Sequence, residues 1–342
     1  MQSFYTCSCY YTHNIYIKRC NYHFTFIDEN QFCKDYKEIL PALGNDDGFK
    51  IDLLIQEIHE EISRRKQAAK NSLKRKEIIK KCYKPLNSSL YRLEEIHLAS
   101  SFLTLVQTAK NFGFQKTLQT LDVISEEKQL YGFQVFKENF CLALLDEIAH
   151  YEESNLPKER PNTMNKYGVL LDELGFHDEF SCILRVKYLD TLAAVLFPEW
   201  RGKGLDSHKI FTVGYKIGHD VDLSYHFDNC EVTLNVCLSK NFKGGELYFG
   251  DMKDVPIDKS SCMLVPHKVG YGILHRGQQL HGALPISAGE RHNLIFWMRS
   301  SSIRNKKCPM CNSKPLLVAC NDYGDGFTQD FELSNKHICN IT

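Results

Sequence analysis

An α+β fold is predicted for this chain, with a double-stranded β-helix (jelly-roll) core, supporting helices and a helical N-terminal region. Three observations carry that expectation. From Phe49 to about Phe197, apolar residues recur at three- and four-residue spacing, the mark of amphipathic helices. After Lys209 the period falls to two, in short runs parted by Gly, Pro, Asp or Asn, which is how antiparallel barrels and jelly rolls read. The chain has 342 residues, 43% of them hydrophobic and 25% charged, with a formal net charge of zero. That is enough for one large core or two modest ones, in a composition ordinary for a globular protein.

Residues 1–45 hold no sustained period and read as irregular chain or a few short strands. Cys7, Cys9, Cys20 and Cys33 could ligate a metal there, although their spacing fits no standard module. The first helix opens near Phe49, with Ile51, Leu54, Ile55, Ile58 and Ile62 on one stripe. It then turns basic at Arg64-Arg65-Lys66, Lys70, Lys74-Arg75-Lys76 and Lys80-Lys81, and Pro85 ends it. A nuclear-localisation signal or nucleic-acid patch would read this way. A solvated helix face is favoured, because no aromatic residues interleave for base stacking. A second helix is expected over 93–112 and a third over Phe133–Tyr151, with Phe136, Phe140, Leu144 and Ile148 in the core. Pro and Asn make Leu156–Asn165 a loop. A fourth helix runs from about Glu179 to Phe197, with Ile183, Val186, Leu189, Ala193 and Leu196 inward, and Pro198 stops it.

Strands are expected over Ile210–Ile217, Glu231–Leu238, Glu246–Phe249, Cys262–Val265, Gly270–His275 and His292–Met298. This divides the chain into an N-terminal region (1–130), helical support (131–208), a catalytic core (209–300) and a tail (301–342). In the tail, Cys308-Pro309-Met310-Cys311 reads either as a reduced pair or as half of a zinc site completed by Cys320, His337 or Cys339.

Several partners are disfavoured by composition. Zero net charge argues against a general nucleic-acid or membrane-surface binder. No apolar run reaches membrane-spanning length, and Met1–Cys20 lacks the apolar centre of a secretory signal. Fourteen cysteines are too dilute for a disulfide scaffold, and Cys141, Cys182 and Cys237 are expected to pack as thiols. The triplets Asn87-Ser88-Ser89 and Asn340-Ile341-Thr342 mean little without secretion. A cytoplasmic or nuclear location is expected.

The chemistry concentrates between His226 and Arg291. Side chains two apart on a strand share a face, so His226 and Asp228 can grip one ion while Phe227 turns away. His-x-acid also occurs at His59/Glu61, His150/Glu152 and His177/Glu179, but in helical sequence, where residues two apart sit roughly 200° apart around the axis. His281 is placed to add a third ligand. Two imidazoles and a carboxylate on one side of a metal are the facial triad of non-haem Fe(II) oxygenases. Arg291, ten residues on, reads either as a structural arginine or as a planar fork for a carboxylate co-substrate.

Residues 209–299 resemble the prolyl 4-hydroxylase-type branch of Fe(II)/2-oxoglutarate dioxygenases. The resemblance rests on His226-x-Asp228, Gly244-Gly245-x-Leu247 and His281-Gly282-Ala283-Leu284-Pro285 followed by Gly289-Glu290-Arg291. The chain is more closely similar to the 2-oxoglutarate and iron-dependent oxygenase domain-containing protein 2 family. Arg160–Asn165, Leu170–Gly175, Asp222–Tyr225 and His275–Gln279 carry that closer likeness, which spans roughly residues 133–318. It implies that His226, Asp228 and His281 hold Fe(II), that Arg291 holds the distal carboxylate of 2-oxoglutarate, and that Tyr215 supports that same carboxylate. Asn235 and Cys237 would face the pocket, and Asn293 stands where several other branches place a hydroxyl residue. A protein side chain is implied as the substrate, with O2 consumed, succinate and CO2 released, and L-ascorbate as a supporting reductant. The other reading is a silent barrel that binds partners through the basic helix.

Overall fold

In the computed structural model, residues 4–43, 51–320 and 327–329 are described. They fall into two compact units, Met1–Leu73 with Asn305–Thr342, and Lys74–Arg304. The first unit opens with β1 (Phe4–Cys7) and the hairpin β2 (Ile15–Ile17) and β3 (Tyr22–Phe24). Helix α1 (Glu29–Asp35) follows; the Asp28 carboxylate accepts from the Gln31 amide at 2.9 Å and caps its start. Next come α2 (Ile39–Leu43) and the long α3 (Ile51–Cys82). Leu54 and Ile58 are fully buried against Ile15, Phe24 and Phe32, whereas Ile51, expected on the same stripe, is exposed at the helix start.

The basic run on α3 is not uniformly solvated. Arg65 is buried; it bonds Glu61 and donates to the carbonyls of Tyr10, His13 and Asn14 at 2.7–2.9 Å. In the second unit, Arg75 forks onto Glu173 with two 2.7 Å bonds. Lys66, Lys70, Lys74, Lys80 and Lys81 are exposed, as expected of a solvated face.

The second unit continues with α4 (Ser100–Leu118), which starts later than its period suggests because Leu93–Ala99 is 3-10 and extended chain. Then come β4 (Asp122–Ser125), β5 (Leu130–Gln134) and α5 (Glu138–Glu153). The helix expected from Phe133 therefore begins five residues late, since Leu130–Gln134 pairs with a core strand instead. Tertiary pairing has overridden a pattern that alone fits either state. Phe136, Phe140, Leu144 and Ile148 are all buried. The short α6 (Leu171–Leu174) ends at Gly175, whose φ of 111° only glycine adopts readily. π-helical stretches at His177–Ser181 and Leu184–Leu189 lead into α7 (Asp190–Leu196), and α8 (Pro198–Arg201) follows. The π turns correct one expectation. Each adds a residue per turn and rotates the buried stripe, so Leu184, Leu189 and Leu192 point inward while Val186 is 61% exposed.

The core strands are β6 (Ser207–Lys216), β7 (Leu223–His226), β8 (Val232–Cys237), β9 (Phe242–Gly244), β10 (Leu247–Met252), β11 (Met263–Val265), β12 (Tyr271–Arg276), β13 (Gln279–Ala283) and β14 (Ile286–Arg299). They form a major sheet ordered β4-β5-β12-β8-β14-β6, with β9 on β14, and a minor sheet ordered β11-β10-β13-β7. The described pairings are all antiparallel. This is the jelly roll that the period-two sequence predicts. After α9 (Ser301–Arg304) the chain returns to the first unit, where β15 (Leu317–Cys320) and β16 (Phe327–Gln329) pair with β1.

Alternation sorts the major sheet by face. Val232, Leu234 and Val236 of β8, with Leu294, Phe296 and Met298 of β14, join the helical core that includes Phe102, Leu184 and Phe197. The intervening Thr233, Asn235, Arg291, Asn293, Ile295 and Trp297 turn the other way and line a pocket. Helices therefore cover one face, and the chemistry belongs to the other.

One buried carboxylate anchors the helical layer. Glu147 is inaccessible to solvent; it accepts from Tyr83 Oη (2.7 Å), Tyr91 Oη (2.8 Å) and the Asn87 amide (2.7 Å). Glu147→Ala would take the acceptor from Tyr91, while Tyr83 keeps His150 Nδ1 at 3.1 Å and Asn87 is open to water, and is expected to destabilise the chain by about 1–3 kcal/mol, with Glu147→Gln losing much less. Thermal unfolding of the two variants checks this; equal shifts would mean that the accepted bonds are not what matters.

Candidate metal centre and co-substrate pocket

Sheet pairing brings the triad residues together. His281 on β13 and His226 on β7 are direct partners in the antiparallel register. Their rings lie 4.3 Å apart between centroids. Asp228 follows two residues after His226, but β7 ends at His226, so the carboxylate sits on the loop between the sheets rather than on the strand. Its amide donates to Gly277 O at 2.8 Å, which fixes the loop. Phe227 turns away and carries the Lys253 ammonium over its ring at 4.7 Å.

Donor atoms of the three residues lie within 4.8 Å of one another. Asp228 Oδ1 is 3.7 Å from His226 Nε2, and Oδ2 is 3.7 Å from His281 Nε2. His226 Nδ1 is 2.8 Å from Ser224 O, and His281 Nδ1 is 2.9 Å from Gln279 O. A carbonyl can only accept, so each Nδ1 carries the proton and each Nε2 presents a lone pair. Burial pushes both imidazoles down to about 4, helped at His226 by the neighbouring His281, and so keeps them neutral. Burial raises the Asp228 carboxyl, against the pull of His226 and of Thr233. Thr233 donates to Asp228 Oδ2 at 2.6 Å. Two lone pairs and one carboxylate, oriented by partners behind them, fit a divalent cation.

Across the pocket the major sheet supplies a cation. Arg291 on β14 is buried and registers opposite Tyr215 on β6. Its guanidinium carbon lies 4.0 Å over the Tyr215 ring. Nη1 donates to Gly245 O and lies 3.1 Å from His267 Nε2. Nε has no hydrogen-bond partner, and Arg291 forms no salt bridge among the described residues. Tyr215 Oη accepts from Asn165 Nδ2 at 3.2 Å. A buried guanidinium with an unused donor fits the carboxylate of a small anion.

Of the further sequence candidates, Asn235 and Asn293 line the pocket and bond one another at 2.7 Å. Cys237, farther along the same face of β8, bonds Ser239 O instead. Residues missed from sequence are Thr233 and His267, whose importance lies in contacts across the sheets, while Asn162 and Asn165, singled out only as part of a family-like loop, line the pocket. The pocket encloses about 440 Å³, counting its mouth. The other His-x-acid pairs all fall in helical segments, as expected.

The chain has relatives named for iron and 2-oxoglutarate. The OGFOD2-like domain family matches residues 79–202, the segment from the end of α3 through α8. The chain is 47% identical over 335 residues to the Danio rerio 2-oxoglutarate and iron-dependent oxygenase domain-containing protein 2, covering 96% of each. It is 42% identical to the Homo sapiens protein of the same name, covering 98% of this chain and 97% of that one. Procollagen-lysine,2-oxoglutarate 5-dioxygenase 1 of Rattus norvegicus is 24% identical over 181 residues, or 49% of this chain and 24% of that one.

Proposed function

The chain belongs to the 2-oxoglutarate and iron-dependent oxygenase domain-containing protein 2 family, and we propose that it hydroxylates a side chain of a protein or peptide. Dioxygenase chemistry, iron and 2-oxoglutarate follow from the family. The assignment of residues and the target are our reading. His226, Asp228 and His281 would hold the iron, and Arg291, stacked on Tyr215, would hold the far carboxylate of 2-oxoglutarate. The observation that carries this reading is the opposition of the two groups across one pocket: three converging donors on one side, a buried cation with an unused N–H on the other.

Iron with 2-oxoglutarate supplies O2 activation coupled to loss of CO2, leaving succinate and a hydroxylated carbon. The chain's own residues hold the reactants. Carbonyls of Ser224 and Gln279 keep the imidazoles in one tautomer, and Thr233 holds the carboxylate in one rotamer. Phe211, Val213, Leu247, Ile295 and Trp297 form apolar walls that strengthen the charge pairing at Arg291. With Asp228 in the ligand set, no ligand position is left for halide, so hydroxylation is favoured over halogenation. A protein target is supported by the relative named for procollagen lysine. We further propose L-ascorbate as the reductant that keeps the iron ferrous.

The direct test adds Fe(II) and 2-oxoglutarate together to the full chain under anaerobic conditions, followed by O2 and measurement of labelled CO2. A visible absorption that needs both components, and CO2 release that needs O2, are expected. Neither signal, with iron demonstrably bound, would leave a barrel without catalysis. Among the described residues no helix is long and apolar enough to cross a membrane.

A further inference from the structure

Four thiols from the two ends of the chain meet in the first unit, far from one another in sequence. Cys7 closes β1, and Cys9 follows it in a 3-10 turn over Ser8–Tyr11. Cys308 and Cys311 lie on the loop ahead of β15. Their sulfur atoms all fall within 4.8 Å of one another. Cys9 Sγ is 3.6 Å from Cys308 Sγ, and Cys7 Sγ is 4.0 Å from Cys311 Sγ.

We propose that Cys7, Cys9, Cys308 and Cys311 form a structural tetrathiolate zinc site that ties the first strand of the chain to its C-terminal segment. Geometry carries the proposal. A zinc ion with Zn–S bonds of about 2.3 Å at the centre of a tetrahedron places its sulfurs about 3.8 Å apart. The measured 3.6 and 4.0 Å lie either side of that value. Disulfides would need about 2.05 Å. Cys7, Cys9 and Cys308 are buried and cluster with Met310 and Cys311, apart from the larger apolar cores among the described residues.

The backbone around the thiols is ordered to hold them. Asn312, at φ 60°, turns the chain back and donates to Cys308 O at 2.9 Å; the Cys308 amide donates to Ser313 O at 2.8 Å. Ser8 N–H donates to Leu316 O at 2.8 Å, and β1 pairs with β15 so that Cys7 faces Leu317. Two sulfurs per end then converge on one point. Cys20 and Cys33, grouped with Cys7 and Cys9 on sequence alone, stay out of the cluster: Cys33 is exposed and Cys20 packs beside the Phe24 core. Cys320 is also outside it, while His337, Cys339 and the Asn340 triplet lie outside the described residues.

Four protein ligands leave no open position, which makes the site structural rather than catalytic. An all-thiolate set prefers zinc, whereas the imidazole–carboxylate set of the pocket suits ferrous iron. Binding would release the thiol protons, and its free energy would add to the folding of this unit.

Elemental analysis of the full chain, purified without added metal, should find one zinc per chain in the wild type and equally in Asp228→Ala. Cys9→Ser with Cys308→Ser should lower the zinc content at least tenfold. If those variants do not fold, the zinc-edge X-ray absorption spectrum of the wild type decides alone: a shell of sulfur only supports the site. A mixed nitrogen, oxygen and sulfur shell, iron in place of zinc, or zinc-free chain with these cysteines alkylated as readily as exposed Cys33 would overturn it.

Discussion

Asp228→Ala is expected to lower Fe(II) affinity by more than about 100-fold and to remove 2-oxoglutarate turnover. A loss of 10- to 100-fold is usual for a residue that merely supports a ligand, and Asp228 contributes the charge that two neutral imidazoles cannot. The structure adds a second expectation that separates a metal ligand from a structural acid. In the metal-free chain the carboxylate is buried, and Thr233 is its hydrogen-bond donor among the described residues, with no salt bridge to lysine or arginine. Removing a buried charge of that kind should leave the apo chain as stable as before, or more so. Divalent cation should then raise the unfolding temperature of the wild type alone. At a hundred times the dissociation constant that gain is about 2.7 kcal/mol. Calorimetry and thermal unfolding measure both quantities. An Asp228→Ala chain that turns over 2-oxoglutarate as fast as wild type would show the ligand assignment to be wrong.

Arg291→Ala is expected to raise the 2-oxoglutarate requirement on the order of 10²–10³-fold while iron affinity stays within about twofold. Each charge-assisted hydrogen bond to a carboxylate contributes about 1.5–3 kcal/mol, and two of them reach that range at about 1.4 kcal/mol per decade. Arg291→Lys should recover only part of it, since an ammonium cannot present a planar fork. Burial holds the guanidinium below its usual basicity, which is the cost of keeping it ready for an anion. Titration of 2-oxoglutarate and of Fe(II) into each variant separates the readings. Equal loss of both would mark Arg291 as structural.

The sequence was most legible where one strand or helix decides the answer. Val232, Leu234 and Val236 alternate with Thr233 and Asn235, so β8 announces itself. The strand Gln279–Ala283 carries a single large apolar residue and two small ones, and nothing local marks it as sheet. The first half of β14 reads Ser287, Ala288, Gly289 and Glu290, and pairs only because β9 and β6 lie beside it. His226, Asp228, His281 and Arg291 could be picked out because their chemistry is unusual at that spacing. Thr233 and His267 could not, and Asn165 had no role beyond a family-like loop, since each matters only through a partner from another element. The cysteine cluster joins positions 299 and 304 residues apart, a separation no local pattern reports.

Asn162 and Asn165 precede β6, yet both line the pocket, and β5 extends the major sheet from farther upstream still. Excising the barrel as a minimal enzyme therefore means starting before Asp122. A clone begun at Lys209 would keep every proposed iron ligand and still lack a wall of the cavity and the outermost rungs of its larger sheet.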